Sequence, residues 1–362
     1  MKLAKAQVEE IEMYFDQAKQ KFEKLKEKQR VLVLAFESSC DETSVAVVEN
    51  GRKILSNVVS TQIPIHVRFG GVVPEVASRN HILAISNVTN EALQKANVSL
   101  DDIDLIAVTY GAGLIGALLV GVNFAKALAF ENNIPLVAVS HIEGHIAANY
   151  LTYPELVPPY MCLLTSGGHT AILKVEDYNK RTLIGSTIDD AVGECFDKVA
   201  RVLGLGYPGG PKIDKLAREG KANITFCKTP LEGTYNFSFS GVKTAVINYV
   251  HNKEQKGEEI NKADIAASFE EEVCCELVKK AIRAANEYKL NKLVVAGGVS
   301  ANSRLKELLT TQCQKQNINL FMPQLSLCTD NAAMIGSAAY FMMKKGEGLS
   351  DTNLTASSVV KI

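Results

Sequence analysis

The sequence predicts an α/β protein built from two similar domains. Its 362 residues suit two domains of ordinary size. A strand–turn–strand pattern occurs twice, in VLVLAFESSCDETSVAVV from residue 31 and in YMCLLTSGGHTAILKV from residue 160. Each copy joins two apolar strands through a small polar turn, and helical segments lie between and after the copies. A repeated unit of this kind indicates two domains of the same construction, whose polar turns face each other across a cleft.

The composition is that of a globular protein in a reducing compartment. Hydrophobic residues make up 47% and charged residues 22%, and the net charge of -1 provides no overall basic field for nucleic acid. A local basic surface that binds RNA stays compatible with this balance. The eight cysteines are scattered without a C-x-x-C pair, which favours reduced thiols and predicts a cytoplasmic location. The charged N-terminus has no apolar signal segment, and Asn123 and Lys126 interrupt the most apolar stretch, 113–130, which favours a buried helix over a membrane span.

Residues 1–30 form a separate segment with the pattern of an amphipathic helix. Apolar residues recur along it at spacings of three and four: Val8, Ile11, Phe15, Ala18, Phe22 and Leu25. Acidic residues are concentrated early and basic residues late, an order that complements the helix dipole. Because one helix cannot bury such a stripe alone, it docks on the rest of the chain, pairs with a second copy or binds a partner. We favour an appended helix without a catalytic role.

The first repeat runs from an apolar strand, 31–36, through the polar turn ESSCDET into a second apolar run, 44–48. Asn50-Gly51 then predicts a hairpin turn. Small hydroxyls and backbone amides in such a turn bind phosphate oxygens, and Asp41 and Glu42 are placed to hold a metal or a water molecule. A solvated turn explains the same residues equally well.

A helix predicted over about 75–96 and a strand over 104–110 lead to GAGLIG, 111–116, which matches the dinucleotide-binding pattern G-x-G-x-x-G. That pattern requires an acidic residue about 20 residues further on, at the end of the next strand. The next strand ends in Ser140 and His141 instead. We therefore interpret the glycines as a tight turn and a close helix contact.

His141 and His145 lie four residues apart at the start of a predicted helix. This spacing places both imidazoles on one face, where they can bind one metal ion; histidines that cap and pack are the alternative. The zinc-protease motif H-E-x-x-H is not matched, since Glu143 lies roughly 200° around the helix from His141. Asp330, in LCTDNAAMIG just before a small-residue helix, is the best candidate for a third ligand.

The second repeat places Ser166, Gly167 and Gly168 in its turn, where backbone amides can approach an anion closely. Asp197, further along, can bond a sugar hydroxyl. YPGGP, 207–211, is a rigid loop that allows a flat ligand to come near.

Two later segments carry further candidates. Lys243 follows the small residues of FSFSGVK, in a chain without a P-loop motif, and a long polar helical region follows at 254–287. LVVAGGVSAN ends a buried strand in two glycines and opens a helix through Asn302, an arrangement suited to the adenine and ribose of a nucleotide.

Nine motifs follow one another from residue 31 to the C-terminal region: ESSCDETSVAVV, GGVVPEVASR, HIEGH, TSGGHT, DDAVGECFDK, YPGGP, FSFSGVKT, AGGVSAN and CTDNAAM. Together they resemble the catalytic subunits of the tRNA N6-threonylcarbamoyladenosine synthase family, once labelled O-sialoglycoprotein endopeptidases. CTDNAAM looks more like the bacterial and organellar branch than the archaeal and cytosolic one. Ala112 departs from the proline that the family usually has, and the 1–30 helix lies outside the family pattern.

The resemblance implies the actin-like ATPase and sugar-kinase fold, with two ribonuclease-H-like domains and a cleft between them. The expected ranges are 31–145 together with about 332–362 for the first domain and 146–331 for the second, after the helical extension at 1–30. It also implies one divalent metal, iron or alternatively zinc, on residues matching His141, His145 and Asp330.

The implied reaction transfers L-threonylcarbamoyl from threonylcarbamoyl-AMP to N6 of adenosine 37, in tRNAs that read codons beginning with A. The resemblance implies the following substrate-binding residues: Leu164, Thr165, Ser166, Gly167, Gly168, Asp197, Gly210, Asp214 and Asn302. ATP or ADP is a further candidate ligand of the cleft. Asp41, Glu42 and Lys243 are the candidates for proton transfer or anion stabilisation.

The implied partners are tRNA and, in bacterial relatives, a paralogous dimerisation subunit and a P-loop ATPase; an organellar-type member would act as a homodimer. No membrane is implied. Two rival functions stay open. A metalloprotease needs a glutamate base beside the histidine pair, and a sugar kinase or chaperone-like ATPase predicts ATP turnover that does not require tRNA.

Overall fold

The structure, a computed structural model, describes residues 2–226 and 231–361, with side chains from Glu10 onward. The chain divides into two compact units: unit 1 comprises Met1–Pro64, Val72–Leu156 and Asp330–Ile362, and unit 2 comprises Ile65–Gly71 and Val157–Thr329. In chain order, the helices and strands are α1 (Lys2–Leu25), β1 (Leu32–Glu37), β2 (Glu42–Glu49), β3 (Lys53–Thr61), α2 (Ile63–His66), α3 (Pro74–Ala96), β4 (Leu105–Gly111), α4 (Ile115–Glu131), β5 (Leu136–Ser140), α5 (His141–Thr152), β6 (Tyr160–Thr165), β7 (Thr170–Asp177), β8 (Lys180–Ser186), α6 (Val192–Val202), α7 (Gly209–Ala217), α8 (Ser240–Lys256), α9 (Lys262–Glu287), β9 (Lys292–Ala296), α10 (Ser303–Gln316), β10 (Asn319–Phe321), α11 (Ala332–Lys345) and β11 (Leu349–Ser350).

Apart from the additional edge strand β11 of unit 1, the two sheets have the same strand order, which confirms the repeat predicted from the sequence. Unit 1 has the order β11-β5-β4-β1-β2-β3, and unit 2 has the order β10-β9-β6-β7-β8. In each unit the first three strands, β1–β3 or β6–β8, form an antiparallel meander. The first of them also pairs parallel with a later strand: β1 with β4 in unit 1, and β6 with β9 in unit 2. Mixed sheets covered by helices make the fold α/β, as predicted.

The first repeat is a buried strand followed by a hairpin. β1 (LVLAFE) is buried along its whole length, as expected for the central strand of a sheet covered on both faces. Asn50 and Gly51 have φ values of 51° and 67°. Positive φ at both central residues makes the tight turn that the Asn-Gly pair predicts between β2 and β3.

Helices α3 and α4 each bury one face in unit 1 and expose the other. α4 contributes Leu118, Val122 and Ala125 to the core, whereas the side chains of Ile115 and Leu119 are exposed. The predicted buried helix at 113–130 is therefore buried on one side only. Among the described residues, no helix is long and apolar enough to cross a membrane.

Helix α1 docks on unit 1 and is shorter than predicted, since it ends at Leu25. The Tyr14 hydroxyl donates to the carbonyl oxygen of Ile134 at 2.9 Å, and Phe22 is 1% exposed. Ile11, predicted to lie in the apolar stripe, is 38% exposed, so that part of the prediction was wrong. The strict seven-residue repeat drifts around a straight helix of 3.6 residues per turn, which brings Tyr14 rather than Phe15 onto the buried face.

Unit 2 has its own core between β6 and helices α6, α8, α9 and α10. The helical region predicted at 254–287 is two helices rather than one. Gly257 has φ 63° after α8, and Asn261 caps α9 by accepting from the amide of Ala263 at 3.1 Å. Seven cysteines carry no disulfide among the described residues, as predicted, and Cys227 lies outside them.

Candidate metal centre and ligand-binding segments

The histidine pair lies at the start of α5, immediately after the buried strand β5. Ser140 caps this helix by accepting from the amide of Ile142 at 3.2 Å. The cap makes His141 the first helical residue and places His145 one turn later. The two ring centroids are 4.5 Å apart, as the sequence spacing predicts.

Asp330 reaches the pair because the start of α11 is held in place. Asn331 caps α11 by accepting from the amide of Met334 at 3.1 Å, and the amide of Ala332 donates to the Ser44 hydroxyl of β2 at 2.9 Å. These bonds fix the backbone next to Asp330, so its carboxylate is directed by a capped helix end rather than by a free loop.

Gly144 is what lets α5 and α11 approach each other. A Cβ at this position would lie 2.6 Å from Cδ1 of Ile335 and 3.1 Å from Cγ of Met334. Any side chain at this position would push against α11, the helix that follows Asp330. The glycine of HIEGH therefore sets the distance between the two helices that carry the metal-ligand candidates.

The three side chains lie close enough together to hold one metal ion. Oδ1 of Asp330 lies 3.3 Å from Nε2 of His141 and 3.4 Å from Nε2 of His145. A tetrahedral ion with ligand bonds of about 2.0–2.1 Å separates its ligands by roughly 3.3 Å. Among the described residues this is the one such group, and Glu143 does not belong to it. Two imidazoles and a carboxylate suit a divalent zinc or iron ion, so the residues present fit the metal.

The charges of the three groups balance one another. Burial by itself would raise the pKa of the Asp330 carboxyl, but the charge of His141 and hydrogen bonds from both imidazoles hold it well below its usual range. Burial works against a charged His141, yet Asp330 and Glu37 raise the pKa of that imidazole well above its usual range. Burial and the charge of His141 lower the pKa of His145. A cation at this position therefore displaces a proton held by His141.

Asp41 and Glu42 lie in the first polar turn, in unit 1 with the metal-ligand candidates. Asp41 is 4% exposed. Burial, followed by the charges of Asp330 and Asp41, raises the pKa of Glu42 to about 9. The Thr61 hydroxyl donates to Oε1 of Glu42 at 3.2 Å. Glu42 thus holds a proton at neutral pH as long as no cation is bound nearby.

The second polar turn leaves two of its amides without a protein acceptor. The amide of Ser166 donates to the carbonyl oxygen of His169 at 2.8 Å, which closes the turn. Within residues 2–226 and 231–361, the amides of Gly167 and Gly168 donate to no protein acceptor. A Cβ on either glycine would meet no atom within 4 Å, so open space lies beside them. Leu164 and Thr165 are fully buried in β6.

Asp197 belongs to α6 and bonds to the first residue of α7, and Gly210 is the second residue of α7. Oδ1 of Asp197 accepts from the amide of Gly209 at 2.7 Å, and this bond fixes the YPGGP loop. A Cβ on Gly210 would meet nothing within 4 Å. Open space therefore lies beside Gly210, and its role in binding a ligand stays a prediction.

Asp214 and Asn302 come together through the start of α10. The hydroxyl of Ser303 donates to Oδ1 of Asp214. Asn302 caps α10 by accepting from the amide of Leu305 at 2.8 Å, and its amide group donates to Oε1 of Glu270 at 2.6 Å. Burial and the charge of Asp214 raise the pKa of Glu270 to about 7, although the bond from Asn302 opposes this.

Lys243 is held in an ion pair within unit 2. Its Nζ lies 2.5 Å from Oδ2 of Asp190, whose other oxygen lies 3.0 Å from Nζ of Lys198. The side chain of Lys243 is 18% exposed. Its ammonium group is thus neutralised by a neighbouring carboxylate.

Two residues near the centre were missed by the sequence analysis. His81 of α3 is fully buried, and its ring nitrogens lie 3.0 Å from the Cys40 carbonyl oxygen and 2.7 Å from the Thr43 hydroxyl. It therefore ties α3 to the turn that carries Asp41 and Glu42. Glu37 is a charged residue at the end of an apolar strand, and this was the one signal in the sequence that marked it.

One known protein family matches most of this chain. The family model described as TsaD, tRNA N6-adenosine threonylcarbamoyltransferase, matches residues 53–337. The chain belongs to the tRNA N6-adenosine threonylcarbamoyltransferase family. A curated member from Clostridium botulinum (strain Kyoto / Type A2) is 58% identical over 325 residues, which cover 89% of this chain and 96% of the relative. One from Clostridium perfringens (strain ATCC 13124) is 57% identical over 327 residues, which cover 90% of this chain and 96% of the relative.

The fold recurs in proteins of much lower sequence identity. HypF of T. kodakarensis aligns with a TM-score of 0.59 at 16% identity, over 90% of this chain and 49% of that chain. At this identity the likeness concerns the fold alone, and it is the actin-like ATPase fold predicted from the motifs. Membership of the family makes the chain a transferase that acts in tRNA modification, and the His-His-Asp group fits the divalent metal.

Proposed function

We propose that the chain transfers the L-threonylcarbamoyl group from threonylcarbamoyl-AMP to N6 of adenosine 37, in tRNAs that read codons beginning with A. The observation that carries the proposal is the grouping of His141, His145 and Asp330 within 4.8 Å of one another. This grouping occurs in a chain of the threonylcarbamoyltransferase family. A bound divalent ion, iron or alternatively zinc, would act there as a Lewis acid toward oxygens of the donor.

The donor is a mixed anhydride of a carbamic acid and AMP. Attack by the adenine N6 amine forms the N–C bond, the C–O bond to phosphate breaks, AMP leaves and the amine loses a proton. Because an adenine amine is a poor nucleophile, alignment of the two substrates supplies much of the acceleration. We assign the AMP phosphate to the amides of Gly167 and Gly168, since these donors have no protein acceptor among the described residues.

The proton of the amine is assigned to the carboxyls of the first polar turn. Burial raises the pKa of Glu42 to about 9, and a bound cation would lower it toward the operating pH. Asp41 is the neighbouring alternative. We also propose that Lys243, whose ammonium group forms an ion pair with Asp190, stabilises an anion.

The nucleotide portion of the donor is assigned to residues that frame α7 and α10. Asn302 directly precedes Ser303, whose hydroxyl already donates to Asp214. Gly210 provides open backbone near the same helix, and Asp197 holds the loop that leads into it. The same groups would accept ATP or ADP, which share the adenosine.

The proposed partners are tRNA and further protein subunits. The exposed apolar side chains of α3 and α4, Ile82, Leu83, Ile115 and Leu119, are of the kind that partner proteins cover. We propose a paralogous dimerisation subunit together with a P-loop ATPase, and a homodimer as the alternative. A tRNA substrate also supports the proposed cytoplasmic location. Measurement of the molecular mass in solution, for the chain alone and after mixing with the candidate subunits, distinguishes a homodimer from a complex with those subunits.

The deciding experiment reconstitutes the reaction. The chain is incubated with threonine, bicarbonate, ATP, the adenylate-forming enzyme, the proposed subunits and unmodified tRNA, and the digested tRNA is analysed by mass spectrometry. We expect threonylcarbamoyladenosine with the wild-type chain and none with Asp330→Ala. A tRNA with guanosine at position 37 is the matched substrate control. ATP turnover without tRNA, with no modified adenosine, would favour the kinase-type alternative, and cleavage of a glycoprotein would favour the protease.

A further inference from the structure

Glu37 is a buried carboxylate at the end of β1 that touches a metal-ligand candidate. The residue is 1% exposed, and its Oε2 lies 3.1 Å from Nδ1 of His141. Carboxylates are seldom buried unless their hydrogen bonds repay the loss of water. The hydrogen bonds of the Glu37 carboxylate should therefore show why this residue is buried.

Three hydrogen-bond donors converge on the Glu37 carboxylate. The amide of Ser39 donates to Oε1 at 2.6 Å, and the hydroxyl of Thr109 in β4 donates to Oε2 at 2.6 Å. The third is Nδ1 of His141. Because an ionised carboxylate only accepts, the imidazole must carry its proton on Nδ1. The Ser39 hydroxyl, 3.2 Å from the same nitrogen, is compatible with this assignment because it can accept.

This arrangement leaves the opposite ring nitrogen for the metal position. With the proton on Nδ1, the lone pair of neutral His141 lies on Nε2, which faces Oδ1 of Asp330 at 3.3 Å. His145 has no equivalent contact among the described residues, since its buried Nδ1 finds no hydrogen-bond partner there. The support is therefore specific to one of the two imidazoles.

We infer that Glu37 is a positioning residue, which fixes the tautomer and ring orientation of His141 and thereby strengthens binding of a divalent cation. The inference rests on the metal centre of the proposed function. Carboxylates that accept from the outer nitrogen of a metal-binding histidine orient the ring and raise its basicity, and their loss weakens metal binding by about 10–100-fold. Ser39 and Thr109 hold the carboxylate so that it cannot rotate away from the ring.

The first test measures zinc binding by the full-length chain against a chelator of known affinity. Glu37→Gln keeps the shape of the side chain and can still accept from Ser39, so we expect a folded protein whose zinc affinity falls by about 10–100-fold. His141→Ala should lose more. Glu270→Gln, another buried carboxylate, is the matched control and should bind zinc like the wild type. Wild-type affinity in a folded Glu37→Gln variant overturns the inference.

The second test reads the tautomer directly and needs no variant. In the wild-type chain loaded with zinc and labelled with ¹⁵N-histidine, nuclear magnetic resonance should detect the His141 proton on Nδ1. A proton on Nε2 of zinc-bound His141 overturns the inference while leaving the metal centre intact. A wild-type chain that binds no zinc and no ferrous iron overturns both the inference and the proposed metal centre.

Discussion

Nε2 of His145 lies 3.4 Å from Oδ1 of Asp330, although the two residues are far apart in the sequence: His145 lies in α5, and Asp330 precedes α11. The contact depends on the packing of α5 against α11 at Gly144 and on the capped start of α11. A metal centre assembled in this way is sensitive to helix packing as well as to the identity of its ligands.

Removal of the carboxylate ligand should abolish metal retention. In Asp330→Asn the charge that pairs with both imidazoles disappears, while the size of the side chain stays the same. We expect the purified variant to retain no stoichiometric metal and to form no threonylcarbamoyladenosine, measured by elemental analysis and by mass spectrometry of tRNA. Glu143→Gln, also in α5, is the control and should keep its metal, because Glu143 does not belong to the group. Loss of the metal from Glu143→Gln as well would contradict the assignment of Asp330 as the third ligand.

A larger side chain at Gly144 should weaken both the fold and the metal centre. The Cβ of Gly144→Val would lie 2.6 Å from Cδ1 of Ile335, and such overpacking costs about 1–3 kcal/mol in free energy of unfolding. We expect a lower denaturation midpoint together with weaker zinc binding. Gly210→Val, whose Cβ meets nothing within 4 Å, should unfold at nearly the wild-type midpoint. Equal loss in both variants would mean that the close packing of Gly144 against α11 is not responsible, because valine is a better helix former than glycine at both positions.

The open glycines of the second turn should be needed for AMP rather than for folding. An added Cβ at Gly167 or Gly168 meets no protein atom within 4 Å. We therefore expect Gly168→Ala to keep the wild-type melting temperature and to bind AMP at least several-fold more weakly, as measured by calorimetry. Unchanged AMP affinity in Gly167→Ala and Gly168→Ala would remove the phosphate from this turn.

Glu270 should make stability depend on pH. Its folded pKa of about 7 lies above the ordinary value of 4.5, so the folded state holds the proton more tightly. The stabilisation is complete below pH 4.5 and is lost as pH rises through 7, by up to roughly 3 kcal/mol. The free energy of unfolding of the wild type should fall from pH 5 to pH 8 relative to Glu270→Gln. Parallel profiles for the two proteins would contradict this.

The docked N-terminal helix should contribute to stability without contributing to metal binding. Phe22 is 1% exposed, so Phe22→Ala should cost about 3–5 kcal/mol in free energy of unfolding. Ile11→Ala, on the exposed side of the same helix, should change it by less than about 0.5 kcal/mol. Zinc affinity of the folded variants should equal that of the wild type, and weaker zinc binding in Phe22→Ala would assign the helix a part in the centre.

Much of the fold and of the metal centre follows from local patterns in the sequence. The Asn50-Gly51 turn, the doubled strand–turn–strand unit and the i, i+4 histidine pair each depend on interactions between residues close in the chain. Those patterns predicted the hairpin, the α/β class and one face of the metal centre. The nine motifs then indicated the family, which the comparison with known proteins confirms.

Only the tertiary structure decided which distant side chains complete these elements. The short distance from Asp330 to the histidines, the bond from His141 to Glu37 and the packing at Gly144 are contacts between segments far apart in sequence. Local periodicity carries no information about such contacts, because they arise from the way in which separate helices and strands exclude water together. The sequence by itself determined the elements and the type of ligands, and packing decided their distances, their tautomers and their charges.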